Sequence, residues 1–249
     1  MNNWVKAKVI SIKKYNGNLL KIILHADILP FIAGQFTKFL IKKKNSIKIR
    51  RAYSYVNSPK SNNLEFYIVK IKKGVMTSKL FKLNIGDDLI ISKKSFGFFI
   101  LKNIPKSYYL WMFATGTGIG PYLSMLQDKN HTLKFNNIIL VHAVKYFKEL
   151  CYLDLMYDLK KKYKGKLIIK NVLSREYNSE TLTGRIPNLI KNKLLENSLN
   201  ISMNKNNSHV MLCGNPNMVK NTEKVLIKYK NMKKHLNRNP GHITKENYW

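Results

Sequence analysis

The stretch FATGTGIGPYLSML, Phe113 to Leu126, lies in an uncharged run from Tyr108 to Leu126, in a chain where nearly every other window carries lysine. The run is close to the ~20 residues that a membrane-spanning helix needs, yet its middle reads GTGIGP. In a helix interior each glycine costs roughly 1 kcal/mol and each proline about 3. A strand, a glycine turn and a helix beginning at Pro121 account for the same letters, because proline is accepted in a helix's first turn. The span is therefore rejected, and the turn becomes a candidate anion receiver. Its glycines allow backbone N–H groups to approach a ligand, and the following helix aims the positive end of its dipole at the same place. GTGIGP is not the GxGxxG fingerprint, and glycines in such a turn can equally serve packing alone.

Outward from this turn the chain reads as two domains, which suits its 249 residues. Before it lie six short β-branched and aromatic segments: WVKAKVISI, NLLKIILHA, FTKFLI, RAYSYV, LEFYIVKI and DDLIISKK. With only one helix expected among them, near Thr77 to Leu83, they predict an antiparallel β-barrel over residues 1–101. From residue 102 to 249 strands alternate with helical patterns: YYLWMFATG then Pro121 to Gln127, NIILVHAV then Leu150 to Tyr163, KLIIKNVLS then Ile186 to Leu195, HVMLCGN then Met218 to Tyr229. Apolar strands followed by amphipathic helices predict an α/β domain built on a parallel sheet, which binds ligands at the carboxyl ends of its strands. Asn197 to Ser208 reads as a surface loop.

Composition bounds the partners. A chain 45% hydrophobic and 11% aromatic folds. The net charge of +32 would suit a polyanion, but the lysines are spread over strands, helices and loops instead of concentrating on one element as a nucleic-acid surface does. An acidic protein partner remains compatible. The only cysteines, Cys151 and Cys213, have neither C-x-x-C spacing nor a histidine cluster, so no zinc or iron–sulfur site is expected and a reducing cytoplasm fits. MNNWVKAKVISIKK lacks the apolar core of a signal peptide. His25, His131, His142, His209, His235 and His242 form no metal or nucleophile set, and none is assigned a role.

Two further stretches carry chemistry. Where NAD-preferring enzymes place an acid at the end of the second strand, this chain has VHAVKY with Lys145; the next strand ends in LSRE with Ser174 and Arg175, and LTGRIP brings Arg185. Bases without a compensating acid favour a ribose carrying an extra phosphate, and the scarce arginines weigh more than the abundant lysine. In RRAYSYVNSP, strand alternation puts Arg51 and Tyr53 on one face and Ala52 and Ser54 on the other.

R-x-Y-S, then G-x-x-T/S over Gly74 to Ser78, then GTGIGP, then CGNP at Cys213 to Pro216, and the closing pair Tyr248 and Trp249, together resemble the ferredoxin–NADP reductase family, above all its bacterial flavodoxin/ferredoxin–NADP reductases. The resemblance runs from the first strand to the last residue. It implies an FAD-binding barrel and an NADP-binding α/β domain, with the flavin ring at the cleft between them. It further implies that Arg51 pairs with the FAD pyrophosphate, that Tyr53 stacks on the isoalloxazine, and that Ser54 bonds near flavin N5. Ala52 adds backbone contacts; Tyr67, Ile68, Val69 and Lys70 match a second flavin segment. Val75, Met76 and Thr77 match a helix start holding the FAD phosphates, Thr117 lies in the turn between both cofactors, and Tyr248 and Trp249 cover the flavin and the adenine. Val144, Lys145, Ser174, Arg175 and Arg185 match the NADP 2′-phosphate site, and Cys213 lies beside the nicotinamide. Tyr53, Ser54 and Cys213 are thus the catalytic candidates. A member of the family carries arginine where this chain has Lys145, so two-pronged phosphate geometry is lost there and a modest fall in NADPH affinity is expected.

The activity implied is transfer of electrons between NADPH and flavodoxin or ferredoxin by a cytoplasmic, monomeric enzyme without metal, nucleic acid or membrane insertion. A flavin-reductase or oxygenase component of the same superfamily, and a basic binding protein on an inactive reductase scaffold, stand as alternatives.

Overall fold

The structure, a computed structural model, describes residues 3–42, 48–236 and 238–248. The contacts divide the chain into two compact units: Met1–Ile100 with Gly120–Asp128, and Leu101–Ile119 with Lys129–Trp249.

In the first unit β1 (Trp4–Tyr15), β2 (Leu19–His25), β3 (Phe36–Lys42), β4 (Lys48–Ser54), β5 (Leu64–Val69) and β6 (Asp88–Ser92) form an antiparallel sheet in the order β4-β3-β6-β1-β2-β5. Just past β4 the chain bridges back to the far edge: Tyr55 pairs with Phe66 of β5, and the Val56 N–H donates to the Glu65 carbonyl at 2.9 Å. Closure removes the open edges. Alternate residues point inward and are buried, among them Ala7 and Val9, Leu20, Ile22 and Leu24, Phe39 and Ile41, Phe66 and Ile68. A one-residue slip of any strand would turn its row to solvent, so the alternation also sets the register. Helix α1 is Val75–Leu80, shifted from the expected Thr77 to Leu83. Leu83 is still buried, but in the turns after the helix.

The quoted stretch divides as strand, turn and helix. Strand β7 (Ser107–Thr115) ends in a 3-10 turn, Gly116–Ile119, and α2 follows at Gly120–Asp128. No helix among the described residues is long and apolar enough to cross a membrane. Helix α2 belongs to the barrel unit, where the Ser124 hydroxyl donates to the Asn57 carbonyl at 2.6 Å and the Gln127 amide to the Val56 carbonyl at 2.7 Å.

The second unit holds a six-stranded parallel sheet, order β10-β9-β8-β7-β11-β12, adding β8 (Phe135–Val144), β9 (Leu167–Leu173), β10 (Leu182–Thr183), β11 (Ser208–Gly214) and β12 (Ile243–Asn247) to β7. The central strands are continuous apolar runs, as a sheet covered on both faces requires; every residue of β11 is buried. Its helices are α3 (Leu153–Lys162), α4 (Ile186–Lys191), α5 (Leu194–Leu199) and α6 (Pro216–Lys230).

Four expectations are corrected. Ile186 to Leu195 is not one helix, because Lys193 takes a left-handed conformation (φ 58°) that separates α4 from α5. Asn197 to Ser208 is not all surface loop: α5 runs to Leu199, and Met203 is buried with its N–H donating to the buried Glu196 carboxylate at 2.8 Å. The third helix begins at Leu153 after a 3-10 turn over Phe147–Glu149, and the last begins at Pro216, capped by Asn215. The carboxyl-terminal segment is held in the sheet, where β12 pairs with β11 and buries Ile243.

Candidate functional site

Chemistry-bearing residues gather at one end of each unit. In the barrel, the inward row of β4 is Ile49, Arg51 and Tyr53, set opposite Ile41, Phe39 and Thr37 of β3. Ile49 and Tyr53 pack on the core, with the Tyr53 ring 4.4 Å from that of Phe39. Burial pushes the Tyr53 hydroxyl well above the usual phenol range, an effect the Arg51 charge partly offsets, so it remains a neutral donor. Arg51 occupies the same row yet is exposed, bonding only the Arg50 carbonyl at 2.8 Å and forming no ion pair among the described residues. A guanidinium on a core-facing row without an acid is a cation held ready for an anion. Ala52 is exposed and Ser54 half-buried, its hydroxyl without a partner among the described residues.

The Tyr55–Phe66 bridge sets β5 beside the end of β4, and α1 packs against β4 as well. Residues from three chain segments therefore share one end of the barrel. Tyr67 and Ile68 are buried, Val69 half-buried and Lys70 exposed. At the start of α1, Met76 and Thr77 are buried while Val75 is exposed. The Thr77 hydroxyl donates to the Gly74 carbonyl (3.2 Å) and accepts from the Ile71 N–H (3.2 Å), fixing the turn. What this segment offers a ligand is backbone N–H groups, since its first turn has no intrahelical acceptors for them.

In the second unit the chain order reverses at the central strands: β7 leads to β8, β9 and β10 on one side, then to β11 and β12 on the other. Such a reversal opens a crevice at the carboxyl ends of the strands. There the turn after β7 meets the end of β11. A Cβ on Gly118 would lie 2.7 Å from the Cys213 carbonyl oxygen and the Gly214 Cα, and one on Gly214 (φ 128°) would lie 2.3 Å from Thr115 Oγ1. These glycines are required for backbone packing. Gly116 differs: it is left-handed at φ 53°, and a Cβ there meets nothing within 4 Å, which leaves room for a ligand. The Thr115 hydroxyl accepts the Asn215 N–H at 2.9 Å, and Asn215 caps α6, aiming that helix's positive end at the same place. Thr117 is buried within the turn.

Lys145, Ser174, Arg175 and Arg185 are all exposed at the carboxyl ends of three neighbouring strands. The ladder of β8 and β9 continues past both strands: the Ser174 N–H donates to the Val144 carbonyl (3.0 Å) and the Arg175 N–H to that of Lys145 (3.1 Å). The two-residue β10, which has no readable signal in the sequence, runs beside β9, and the Gly184 N–H donates to the Leu173 carbonyl at 2.8 Å, which brings Arg185 alongside. None of the three cations forms an ion pair among the described residues. Two carboxylates lie nearby but bond backbone groups, and neither forms an ion pair with these cations among the described residues. Glu149 accepts the Lys145 N–H at 3.0 Å and Glu176 the Phe147 N–H at 2.6 Å, so two carboxylates shape the loop through its backbone.

Cys213 is fully buried, and its thiol is held well above the usual range by burial first and the Glu246 charge second, with a hydrogen bond from the Tyr248 side chain opposing. It stays a neutral thiol and is no nucleophile. The pairing of β12 with β11 delivers Tyr248 to this point, its N–H donating to the Gly214 carbonyl at 3.0 Å. Trp249 lies outside the described residues. The histidine given no role in the sequence reading matters here: His142, buried on β8, places Nε2 3.0 Å from the Gly116 carbonyl oxygen.

Comparison with known proteins agrees with both halves. Residues 8–97 match the family model described as Oxidoreductase FAD-binding domain, and residues 112–224 match Oxidoreductase NAD-binding domain. The chain is 54% identical to the flavodoxin/ferredoxin–NADP reductase of Buchnera aphidicola subsp. Baizongia pistaciae and 47% identical to that of Escherichia coli K12, each over 100% of both chains. Among solved structures, a ferredoxin NADP+ reductase from Neisseria gonorrhoeae with bound FAD and NADP superimposes with a TM-score of 0.92 at 30% identity, covering 99% of each chain.

Proposed function

Because the chain belongs to the flavodoxin/ferredoxin–NADP reductase family, we propose that its two ligand-binding ends divide one task, the barrel end holding FAD and the sheet end holding NADP(H). The protein is an FAD-dependent oxidoreductase that transfers electrons between NADPH and flavodoxin or ferredoxin. Bound FAD and NADP(H) supply the chemistry, in which a hydride is exchanged between nicotinamide and flavin and single electrons between flavin and carrier.

The chain supplies binding, orientation and electrostatics. Arg51 neutralises the FAD pyrophosphate, supported by its unpaired position on the inward row, and the N–H groups at Val75, Met76 and Thr77 take the phosphate oxygens. Tyr53, braced by Phe39, gives the isoalloxazine a flat neighbour, and a stacked ring contact contributes about 0.5–1.5 kcal/mol beyond burial. Ser54 offers its hydroxyl, and Ala52 and Tyr67 to Lys70 line the ring through backbone and side chain. Lys145, Ser174, Arg175 and Arg185 hold the 2′-phosphate, with Val144 at the end of the strand. The Thr117 turn, Cys213 and Tyr248 face the reacting end, where a neutral thiol beside the ring excludes water without adding charge. Trp249 would cover the adenine.

The observation that carries this reading is the convergence of Lys145, Arg175 and Arg185 at three neighbouring strand ends without an ion pair among the described residues. An exposed guanidinium and ammonium set repels itself unless an anion completes it. With a net charge of +32, the protein also steers acidic carriers toward itself. We place it in the cytoplasm, in keeping with Cys151 and Cys213 being thiols and not a disulfide, and take it to act as a monomer. NADPH-driven reduction of purified flavodoxin and ferredoxin, followed spectrally, tests the function. Reduction of at least one carrier, dependent on this protein, is the expected result; reduction of free flavin alone would favour a flavin reductase.

A further inference from the structure

The Gly116–Thr117 peptide is held from inside the sheet. His142 is fully buried, and burial brings its imidazole down to about 4, with the bond to Gly116 opposing only in part, so at neutral pH the ring is uncharged and carries one proton. The Gly116 carbonyl can only accept, and it lies 3.0 Å from Nε2, so that proton is on Nε2 and is donated to the carbonyl. Nδ1 is left as a buried acceptor without a partner among the described residues. In a trans peptide the C=O and the following N–H point in opposite directions. Drawing the Gly116 carbonyl inward toward His142 therefore turns the Thr117 N–H outward, away from the sheet. A 3-10 turn alone holds such a peptide weakly, and Gly116, at φ 53° with open space where a Cβ would stand, has no side chain to resist reversal.

A second residue stands behind the first. Asn171 on β9 occupies the position paired with His142, and its side-chain oxygen is likewise buried without a partner among the described residues. Two acceptors at paired positions leave both unsatisfied, an arrangement with a cost in a protein interior. Turning the Asn171 amide end for end puts an N–H donor in place of that oxygen, at the position paired with His142, whose Nδ1 is the unpartnered acceptor.

We propose that His142, steadied by Asn171, is a positioning residue that keeps the Thr117 N–H facing the cofactor, so that delivery of hydride from NADPH depends on a side chain that touches neither substrate nor flavin. The inference rests on the assignment of the Thr117 turn to the cofactor site. Loss of the bond lets the peptide reverse and presents a carbonyl oxygen where an N–H is needed.

The test uses the FAD-loaded enzyme and rapid-mixing measurement of flavin reduction by NADPH, with thermal melting and FAD retention recorded for each variant. His142→Leu removes the donor and is expected to slow reduction by about tenfold to a hundredfold, the range for displaced reacting groups. His142→Gln restores an amide N–H at similar reach and is expected to recover reduction to within about threefold of wild type. Asn171→Leu is expected to fall between the two. A merely structural role would lower the melting temperature of His142→Leu and His142→Gln alike and leave the reduction rate of the folded fraction unchanged; that result overturns the proposal. Gly116→Ala separates the two levels of inference, because it places a methyl in the open space before the turn. If Gly116→Ala slows reduction and His142→Leu does not, the positioning role is wrong. If Gly116→Ala reduces at the wild-type rate, the turn does not face the cofactor and the underlying assignment fails.

Discussion

Replacing Arg175 by alanine removes one of three exposed cations at the ends of β8, β9 and β10, without touching the strand beneath, because what the ladder uses is the Arg175 backbone N–H, donated to Lys145. A charge-assisted hydrogen bond contributes about 1.5–3 kcal/mol. Arg175 is exposed, and Lys145 and Arg185 remain to hold the phosphate, so the lower end applies, ~1.5 kcal/mol, which is about tenfold in affinity. The Michaelis constant for NADPH should therefore rise about tenfold, while that for NADH, which lacks the phosphate, stays within about twofold. The assay is steady-state reduction of a carrier or a chemical acceptor with each nucleotide at low ionic strength. Repeating it at high salt should shrink the difference, since exposed charges are screened. An equal loss with both nucleotides would refute phosphate recognition by Arg175 and point instead to a disturbed loop, which Glu149 and Glu176 brace through its backbone.

Gly214→Ala should destabilise the protein by at least ~2 kcal/mol, seen as a melting temperature lower by roughly 4–8 °C, because its Cβ would stand 2.3 Å from Thr115 Oγ1 at φ 128°; an unchanged melt would mean that the ends of β7 and β11 are not packed this tightly. Stability should also fall as pH drops below about 6.5, the unfolded histidine value. Folded His142 and His209 are brought down by burial to about 4 and about 3, so between those values and ~6.5 the unfolded chain takes up protons that the fold refuses. Each should remove roughly 1–2 kcal/mol by pH 5 in denaturant titrations, and a flat profile from pH 7 to 5 would contradict their burial as neutral groups. Deleting Tyr248 and Trp249 should leave the sheet intact, since β12 ends at Asn247, but alter nicotinamide competition or flavin affinity; wild-type values for both would contradict docking of the closing aromatics.

Much of the architecture was legible because it follows from periodicity. Alternation over Trp4 to Ile12 and the aromatic and β-branched run Leu64 to Val69 mark barrel strands that build the core, and the apolar runs of β7, β8 and β11 mark a sheet buried on both faces. The glycine turn was legible because few helices tolerate GTGIGP. Two short or polar strands were not. Leu182–Thr183 is too brief to show a period, and ITKEN at Ile243–Asn247 is an edge strand whose residues after Ile243 are at most half-buried. Both matter for the site, since β10 brings in Arg185 and β12 delivers Tyr248. The break between α4 and α5 falls at Lys193, where neither glycine nor proline announces it. Lys145, Arg175 and Arg185 could be picked out by type and strand-end position, and Arg51 by the family resemblance, whereas His142 could not. In sequence it is one polar letter in an apolar strand, and only the fold brings its ring to the Gly116 carbonyl. Glu149 and Glu176 lie close to Lys145 and Arg175 in sequence, but only the fold shows their carboxylates accepting the backbone N–H groups of Lys145 and Phe147.

The most direct test of the account is an anaerobic titration of the purified yellow protein with NADPH and, separately, with NADH. The flavin's visible band should be lost at about one equivalent of NADPH per bound FAD, with NADH needing a far larger excess to act at a comparable rate. A band that neither nucleotide bleaches, or that both bleach alike, would contradict it.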